Sequence, residues 1–410
     1  MSSNNQFTSN FNENSAENNV DLGTKFVSKS YLMDVYPYLT GMGNITFPGL
    51  WSWGRNSYGG LGDSTVTYRS SPVQTIAGGT NWKQVACGFL HTAAIKTDGT
   101  LWSCGYNPYG QLGDSTVTHR SSPVQTIAGG TNWKQVSGGS YHTAAIKTDG
   151  TLWNWGYNIY GGLGDSTSTN KSSPVQTIAG GTNWKQVACG TYHTAAIKTD
   201  GTLWTWGYNV YGCLGNSTVT HRSSPVQTIA GGTNWKQVAT SYYHTAAIKT
   251  DGTLWLWGYN IYGGLGDSTT LTGRSSPVQT IAGGTNWKLV SSGQFHTAAI
   301  KTDGTLWSWG RNQFGQLGDS TITGRSSPVQ TITGGTNWKQ VACGSVHTAA
   351  IKTDGTLWLC GYNVNGGLGD STTVTGRSSP VQTIAGGTNW KQVSGGNSHT
   401  AAIKEMGDDF

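Results

Sequence analysis

A motif of the form LWxWG or LWxCG recurs seven times along the chain, beginning at Leu50, Leu101, Leu152, Leu203, Leu254, Leu306 and Leu357, at intervals of 51, 51, 51, 51, 52 and 51 residues. HTAAIK follows each copy, starting at His91, His142, His193, His244, His296, His347 and His399. A period near 50 residues means one supersecondary unit repeated, each copy burying its apolar surface only against its neighbours. All 19 tryptophans fall inside these units, so the core is the repeat itself.

Each unit reads as four short strands separated by breakers: LWSWG, SPVQTI after a Gly/Asp/Ser/Thr loop, NWKQVA after Gly-Gly, then HTAAIK. No helical period is present. Between HTAAIK and the next LWxWG stands TDGT, and Asp98-Gly99 predicts a two-residue type I′ hairpin. Counting outward from that turn pairs Lys96 with Leu101, Ile95 with Trp102, Ala93 with Cys104 and His91 with Tyr106, leaving the open end of the hairpin at His91 and Gly105. The first unit lacks an HTAAIKTDGT before Leu50 and the last stops after Lys404. If the strand at His399 pairs with that at Leu50, the array closes on itself and no sheet edge is left open. The expected fold is all-β: a closed seven-bladed β-propeller of four-stranded blades over residues 50–404, behind an arm at 1–49 and before an acidic tail at 405–410.

HTAAIKTDGTLWxWGxNxxGxLGD at this period resembles the regulator-of-chromosome-condensation repeat, over roughly residues 50 to 404. The resemblance implies a seven-bladed propeller with the same split-blade closure. It implies no single function, because that scaffold serves nucleotide exchange, enzyme inhibition and virion surfaces.

The candidate chemistry is weak. Seven histidines in one repeat position suggest a per-blade structural task, such as anchoring the open end of the hairpin by a hydrogen bond, rather than a metal ring. The Asp of GDST, present in six units and Asn216 in the fourth, has no calcium-loop pattern and reads as turn chemistry. Six cysteines (Cys87, Cys104, Cys189, Cys213, Cys343, Cys360) form no CxxC pair and read as buried or half-buried free thiols. Net charge is +11 over residues 50–404, −2 over 1–49 and −3 over 405–410. The basic residues recur once per unit (WK, AIK, RSS), so they read as rings of single charges rather than a patch, and no specific nucleic acid is expected. No apolar run is long enough to span a membrane, the start has no secretory pattern, and no cofactor, metal or catalytic motif is present, so no enzyme is expected.

Where the seven copies differ is more informative. SSPVQTIAGGTNWK is identical in six units, with Thr333 the one change in the sixth. Differences gather in the pair before each His and in the positions after WG, which the hairpin places on one rim, opposite the Asp-Gly turn. That rim carries 14 of the 18 tyrosines. A recognition face is expected from Arg55, Tyr58, Phe89, Leu90, Tyr106, Tyr109, Tyr141, Tyr192, Tyr242, Tyr243, Phe295, Arg311 and Phe314, because Tyr supplies rigid amphipathic contact area at low entropic cost. The regular Tyr after WG is read as packing between blades, and the irregular pair before the His as the binding element.

Residues 1–19 are Asn/Ser/Glu-rich and read as disordered. Residues 20–40 change character, and a short docking helix capped at Ser28 or Ser30 and ended by Pro37 is expected, with Phe26, Tyr31, Leu32, Val35 and Tyr36 as the docking residues. The arm together with uniform propeller repeats resembles structural proteins of tailed bacteriophages of marine bacteria, including cyanophages. That resemblance implies a virion surface or tail protein, made in the host cytoplasm, whose arm holds other virion proteins and whose face reads a host surface protein or glycan. The alternatives are an architectural virion protein or a cellular protein-binding or inhibitor propeller.

Overall fold

The structure, a computed structural model, describes residues 49–405. The arm residues Phe26, Tyr31, Leu32, Val35 and Tyr36, and the expected helix with them, lie outside the described residues. Twenty-eight strands among the described residues form seven four-stranded antiparallel sheets. Each sheet is one propeller blade, as the period implies. In the first full blade, β3 (Trp82–Cys87) is followed by β4 (His91–Lys96), β5 (Leu101–Gly105) and β6 (Arg120–Gln125), in that spatial order. β3 and its counterparts line the central cavity, so they are the innermost strands. The outermost strands carry the proline of SSPVQ, which suits an edge because proline cannot donate to a ladder on its free side.

Closure follows the split blade. β28 (His399–Lys404) pairs with β1 (Gly49–Gly54) in register from Gly49↔Lys404 to Gly54↔His399. The resulting sheet, completed by β2 (Arg69–Gln74) and β27 (Trp390–Gly395), joins the two ends of the array. The core is divided among the blade junctions: Leu101, Trp133, Val136 and Trp155 fill one and Leu152, Trp184, Val187 and Trp206 the next. Each second-motif Trp also donates to the preceding blade, as Trp155 Nε1 does to the Gln111 carbonyl at 2.9 Å.

The hairpin turn differs from the sequence expectation. Lys96 N donates to Thr100 O at 3.0 Å and Gly99 N to Lys96 O at 2.9 Å, closing a three-residue loop in which Gly99 alone has a positive φ, +81°. Asp98 has no positive φ; its carboxylate instead accepts from Thr100 N (2.9 Å) and Thr100 Oγ1 (2.7 Å). The Thr97 N–H leaves the hairpin for the Asn81 carbonyl. Pairing therefore slips by one residue, to Ile95↔Leu101, Ala94↔Trp102 and His91↔Gly105. The open end at His91 and Gly105 is where the sequence puts it, but each residue above the turn has a different partner.

Candidate protein-binding face

Antiparallel order puts the β3–β4 and β5–β6 loops of every blade at one end of the ring and the Asp-Gly turns at the other. The histidines fix that first end. His91 Nε2 bonds Thr143 Oγ1 of the next blade at 2.9 Å, and the pattern continues round the ring to His399 and Thr92 at 3.3 Å. Thr92 Oγ1 itself donates to the Gly60 carbonyl at 2.7 Å, so its lone pair accepts from an Nε2–H. The Nε2 partner is thus on the neighbouring blade, while at His244 the other ring nitrogen, Nδ1, lies 2.7 Å from Ser241 Oγ of its own blade. Burial drives these histidines down to a pKa of about 3 or 4, with neighbouring histidines adding repulsion at His91. They are neutral structural donors. The six cysteines are free and buried, and burial raises Cys87 to about 12.

Above this layer a backbone bond ties the residue before each His to the residue after WG: Tyr157 N to Tyr141 O (2.9 Å), Tyr208 N to Tyr192 O (3.0 Å), Arg311 N to Phe295 O (2.9 Å). A third ring arrives from the preceding blade. Tyr160 lies 5.3 Å from Tyr192 and 5.1 Å from Tyr208, and Tyr211 lies 5.2 Å from Tyr243 and 4.9 Å from Tyr259. Tyr109, Tyr141 and Tyr157 repeat the arrangement, as do Tyr262 and Phe295 beneath the Arg311 guanidinium, which stands 5.0 and 5.5 Å from the two rings. Links such as Tyr157–Tyr160 (6.1 Å) and Tyr208–Tyr211 (6.3 Å) join these triads into one arc from Tyr58 to Arg311. Most of the distances fall in the range favoured for edge-to-face aromatic pairs.

Phe89 and Tyr242 come from blades on opposite sides of the axis, yet their rings approach to 5.9 Å at this mouth of the channel. Beneath them is a cavity of about 260 Å³ lined by Cys87, Ser137, Cys189, Thr240, Ser291 and Ser394, among others. All thirteen residues read from the sequence lie on this one face. Eleven belong to the arc or touch it. Phe314 pairs separately with Tyr362 at 4.9 Å, and Arg55 stands by Ser57 where neighbouring repeat positions hold Asn365 and Ser398. The sequence places Tyr157, Tyr160, Tyr208, Tyr211, Tyr259 and Tyr262 on this rim but not among the named recognition residues. The triads contain both the regular tyrosines after WG and the irregular ones before the His, so the two sets pack together. The available signal was the YG pair three residues after YN, which recurs in the same loop in four of the seven units.

Burial, then neighbouring phenols, raises the pKa of Tyr141, and Tyr208 is pushed up to about 12, so these hydroxyls stay protonated and can donate. Exposed aliphatics stand in the same loops: Ile159, Val210, Ile261 and Val364, at 45–53% exposure. The charges are one-sided. Asp63 pairs with Arg69 at 2.8 Å, and the other five GDST aspartates pair in the same way with Arg or Lys. Asn216 replaces that Asp in the fourth unit, so among the described residues Arg222 has no ion pair. The Asp63 carboxylate also accepts from Thr65 N (3.1 Å) and Thr65 Oγ1 (2.7 Å), the turn chemistry expected of it.

A closed ring of seven four-stranded blades defines the class of seven-bladed β-propellers. The sequence pattern of the RCC1-like domain matches residues 45–279 and again 183–409, and the chain belongs to that family. Over 326 residues it is 34% identical to the ultraviolet-B receptor UVR8 of Arabidopsis thaliana, covering 78% of this chain and 74% of that protein. It is 27% identical to the X-linked retinitis pigmentosa GTPase regulator homolog of Caenorhabditis elegans, covering 73% of this chain but 25% of the relative. With the mouse E3 ubiquitin-protein ligase HERC2 it is 29% identical over 85% of its own length and 7% of that protein's. Among solved structures, Prp20p of Saccharomyces cerevisiae superposes with a TM-score of 0.79 at 19% identity, over 89% of this chain and 93% of that one. Human WBSCR16 gives 0.77 at 22% identity, over 88% and 99%.

Proposed function

We propose that this chain is a non-enzymatic protein-binding propeller that takes its partner on the tyrosine face. The observation that carries the reading is the continuous aromatic arc from Tyr58 to Arg311, half-buried and edged by exposed Ile159, Val210 and Ile261. Rigid aromatic anchors with apolar neighbours and a few arginines are the composition of binding hot spots. The family supports it: the Prp20p structure is described with that protein's binding to Gsp1p and histones, and a second is of yeast RCC1 bound to Kap60. The related proteins named above come from a plant, a nematode and mammals, which favours the cellular protein-binding alternative over the virion reading. Virion attachment through the arm is a separate proposal, tested by mass spectrometry of purified particles. To test the face, a photo-crosslinking residue is placed at Val210 and, in a second sample, at Asp149 on the opposite end. The reading expects a discrete partner captured from Val210 and absent from Asp149; capture from Asp149 alone would refute it.

A further inference from the structure

The opposite mouth of the ring carries a second feature. The first residues of every innermost strand are Trp-Lys-Gln, or Trp-Lys-Leu in one blade. In all seven blades the pairing with the next strand shifts between the Trp and the residue after the Lys; for β3, Trp82↔Lys96 is followed by Gln84↔Ile95. Lys83 is thus the extra residue of a β-bulge, a device that re-aims a side chain. The Trp on one side of the bulge is buried, and the Lys is exposed in every blade: Lys83, Lys134, Lys185, Lys236, Lys288, Lys339 and Lys391.

The innermost strands that carry these lysines are neighbours. Gln84 Oε1 accepts from Val136 N of the next innermost strand at 2.9 Å, and the same bridge runs from Gln135 to Val187, from Gln186 to Val238 and from Gln237 to Val290. One glutamine side chain therefore spans neighbouring strands. Like charges carried on adjoining strands reinforce one another where they stand within a Debye length, ~8 Å at physiological salt. Six turn aspartates share this mouth, and the Asp98–Gly99 turn abuts the next innermost strand, Gly99 O accepting from Trp133 N beside Lys134 at 3.0 Å. Asp98 and its counterparts lie one strand further out, hold their own threonines, and have as their neighbouring cation the strand-end Lys96, which sits between Trp82 and Trp102. Among the described residues only Lys391 has an acidic partner, Glu405. The sequence shows one lysine per repeat and suggests dispersed charge; the fold gathers them around one axis.

We infer that this lysine ring is a binding site for a compact polyanion, a molecule bearing several clustered phosphate groups. Lysines act as point charges that attract phosphate without demanding the planar geometry an arginine fork imposes. A closed ring matches a compact anion better than a duplex, whose phosphates run along a line. Single-stranded nucleic acid needs aromatic platforms for its bases, and the tryptophans here are buried between blades or covered by Lys96 and its counterparts.

The test is calorimetric titration of the full chain with inorganic tripolyphosphate at two salt concentrations. Three proteins are compared: the parent, a triple ring variant (Lys134→Gln, Lys185→Gln, Lys236→Gln), and a control that loses the same charge from the tyrosine face (Arg55→Gln, Arg222→Gln, Arg311→Gln). All six positions are exposed or half-buried, and matched melting curves establish that the variants fold. The expected result is one saturable site per chain that weakens with salt, loses about tenfold or more in affinity in the ring variant, and changes less than about twofold in the control. Equal losses in both variants would mean attraction to net charge and would overturn the site, as would the absence of saturable binding. Tighter binding of a 20-base-pair duplex than of tripolyphosphate, at matched phosphate concentration, would overturn the ligand class.

Discussion

A buried imidazole that is neutral in the fold and protonated in the unfolded chain makes stability depend on acid. The unfolded pKa is near 6.5, and burial lowers His91, His193, His244, His296 and His347 to about 3 and His142 and His399 to about 4. Their contribution is therefore complete above about pH 6.5 and is lost as pH falls from there toward 3 to 4. The turn aspartates such as Asp98, held low mainly by the Thr100 hydroxyl, lose theirs only below the carboxylate range. Urea unfolding between pH 7 and 5 is expected to show a steep fall in stability with uptake of several protons; a flat profile would mean the ring is not buried as described. A second residue argues from an exception. Leu289 stands where six blades have glutamine, and Val341 is left without the side-chain bridge that Val136 receives from Gln84. Leu289→Gln is predicted to raise stability by roughly 0.5–1.5 kcal/mol in urea denaturation, the usual net value of one hydrogen bond.

At the scale of the element, the turn shows where sequence reading stopped. Four strands per unit, their order and the rim at His91 were legible from breakers and periodicity. The register was not, because Asp-Gly fits both a two-residue and a three-residue hairpin, and the choice is made by Thr97 and Thr100. The Thr97 N–H is taken by the Asn81 carbonyl, a contact between segments that no local pattern reveals. Glycine at the third turn position is required twice over: Gly150 has φ +80°, and a Cβ there would overlap the Thr182 carbonyl. Gly150→Ala should cost roughly 1–3 kcal/mol, measured by chemical denaturation. The same blindness to tertiary neighbours hid the triads. The sequence places Tyr160, Tyr192 and Tyr208 up to 48 residues apart, and only the junction of two blades makes them one cluster.

For the whole molecule, closure is the property that repeats alone cannot supply. β28 contributes Ala401 and Ile403 to the junction with Leu50, Trp82 and Val85, so both ends of the array share one core. Removing residues from Ser398 onward exposes the edge of β1 and opens that junction. The prediction is loss of a single cooperative transition, with aggregation visible by size-exclusion chromatography, where an open array would lose only its last repeat. The missing half-hairpin at each end of the array makes this closure legible in the sequence. What the ring does with its two mouths was less readable, since loops that drift after duplication and loops that bind look alike in one sequence. The most direct measurement is the affinity of the partner captured at Val210 for the parent and for Ile159→Ser, Val210→Ser, Ile261→Ser, three exposed positions that leave the arc packed. A tyrosine-face interface predicts at least about a tenfold rise in Kd with an unchanged melting temperature; an unchanged Kd would contradict it.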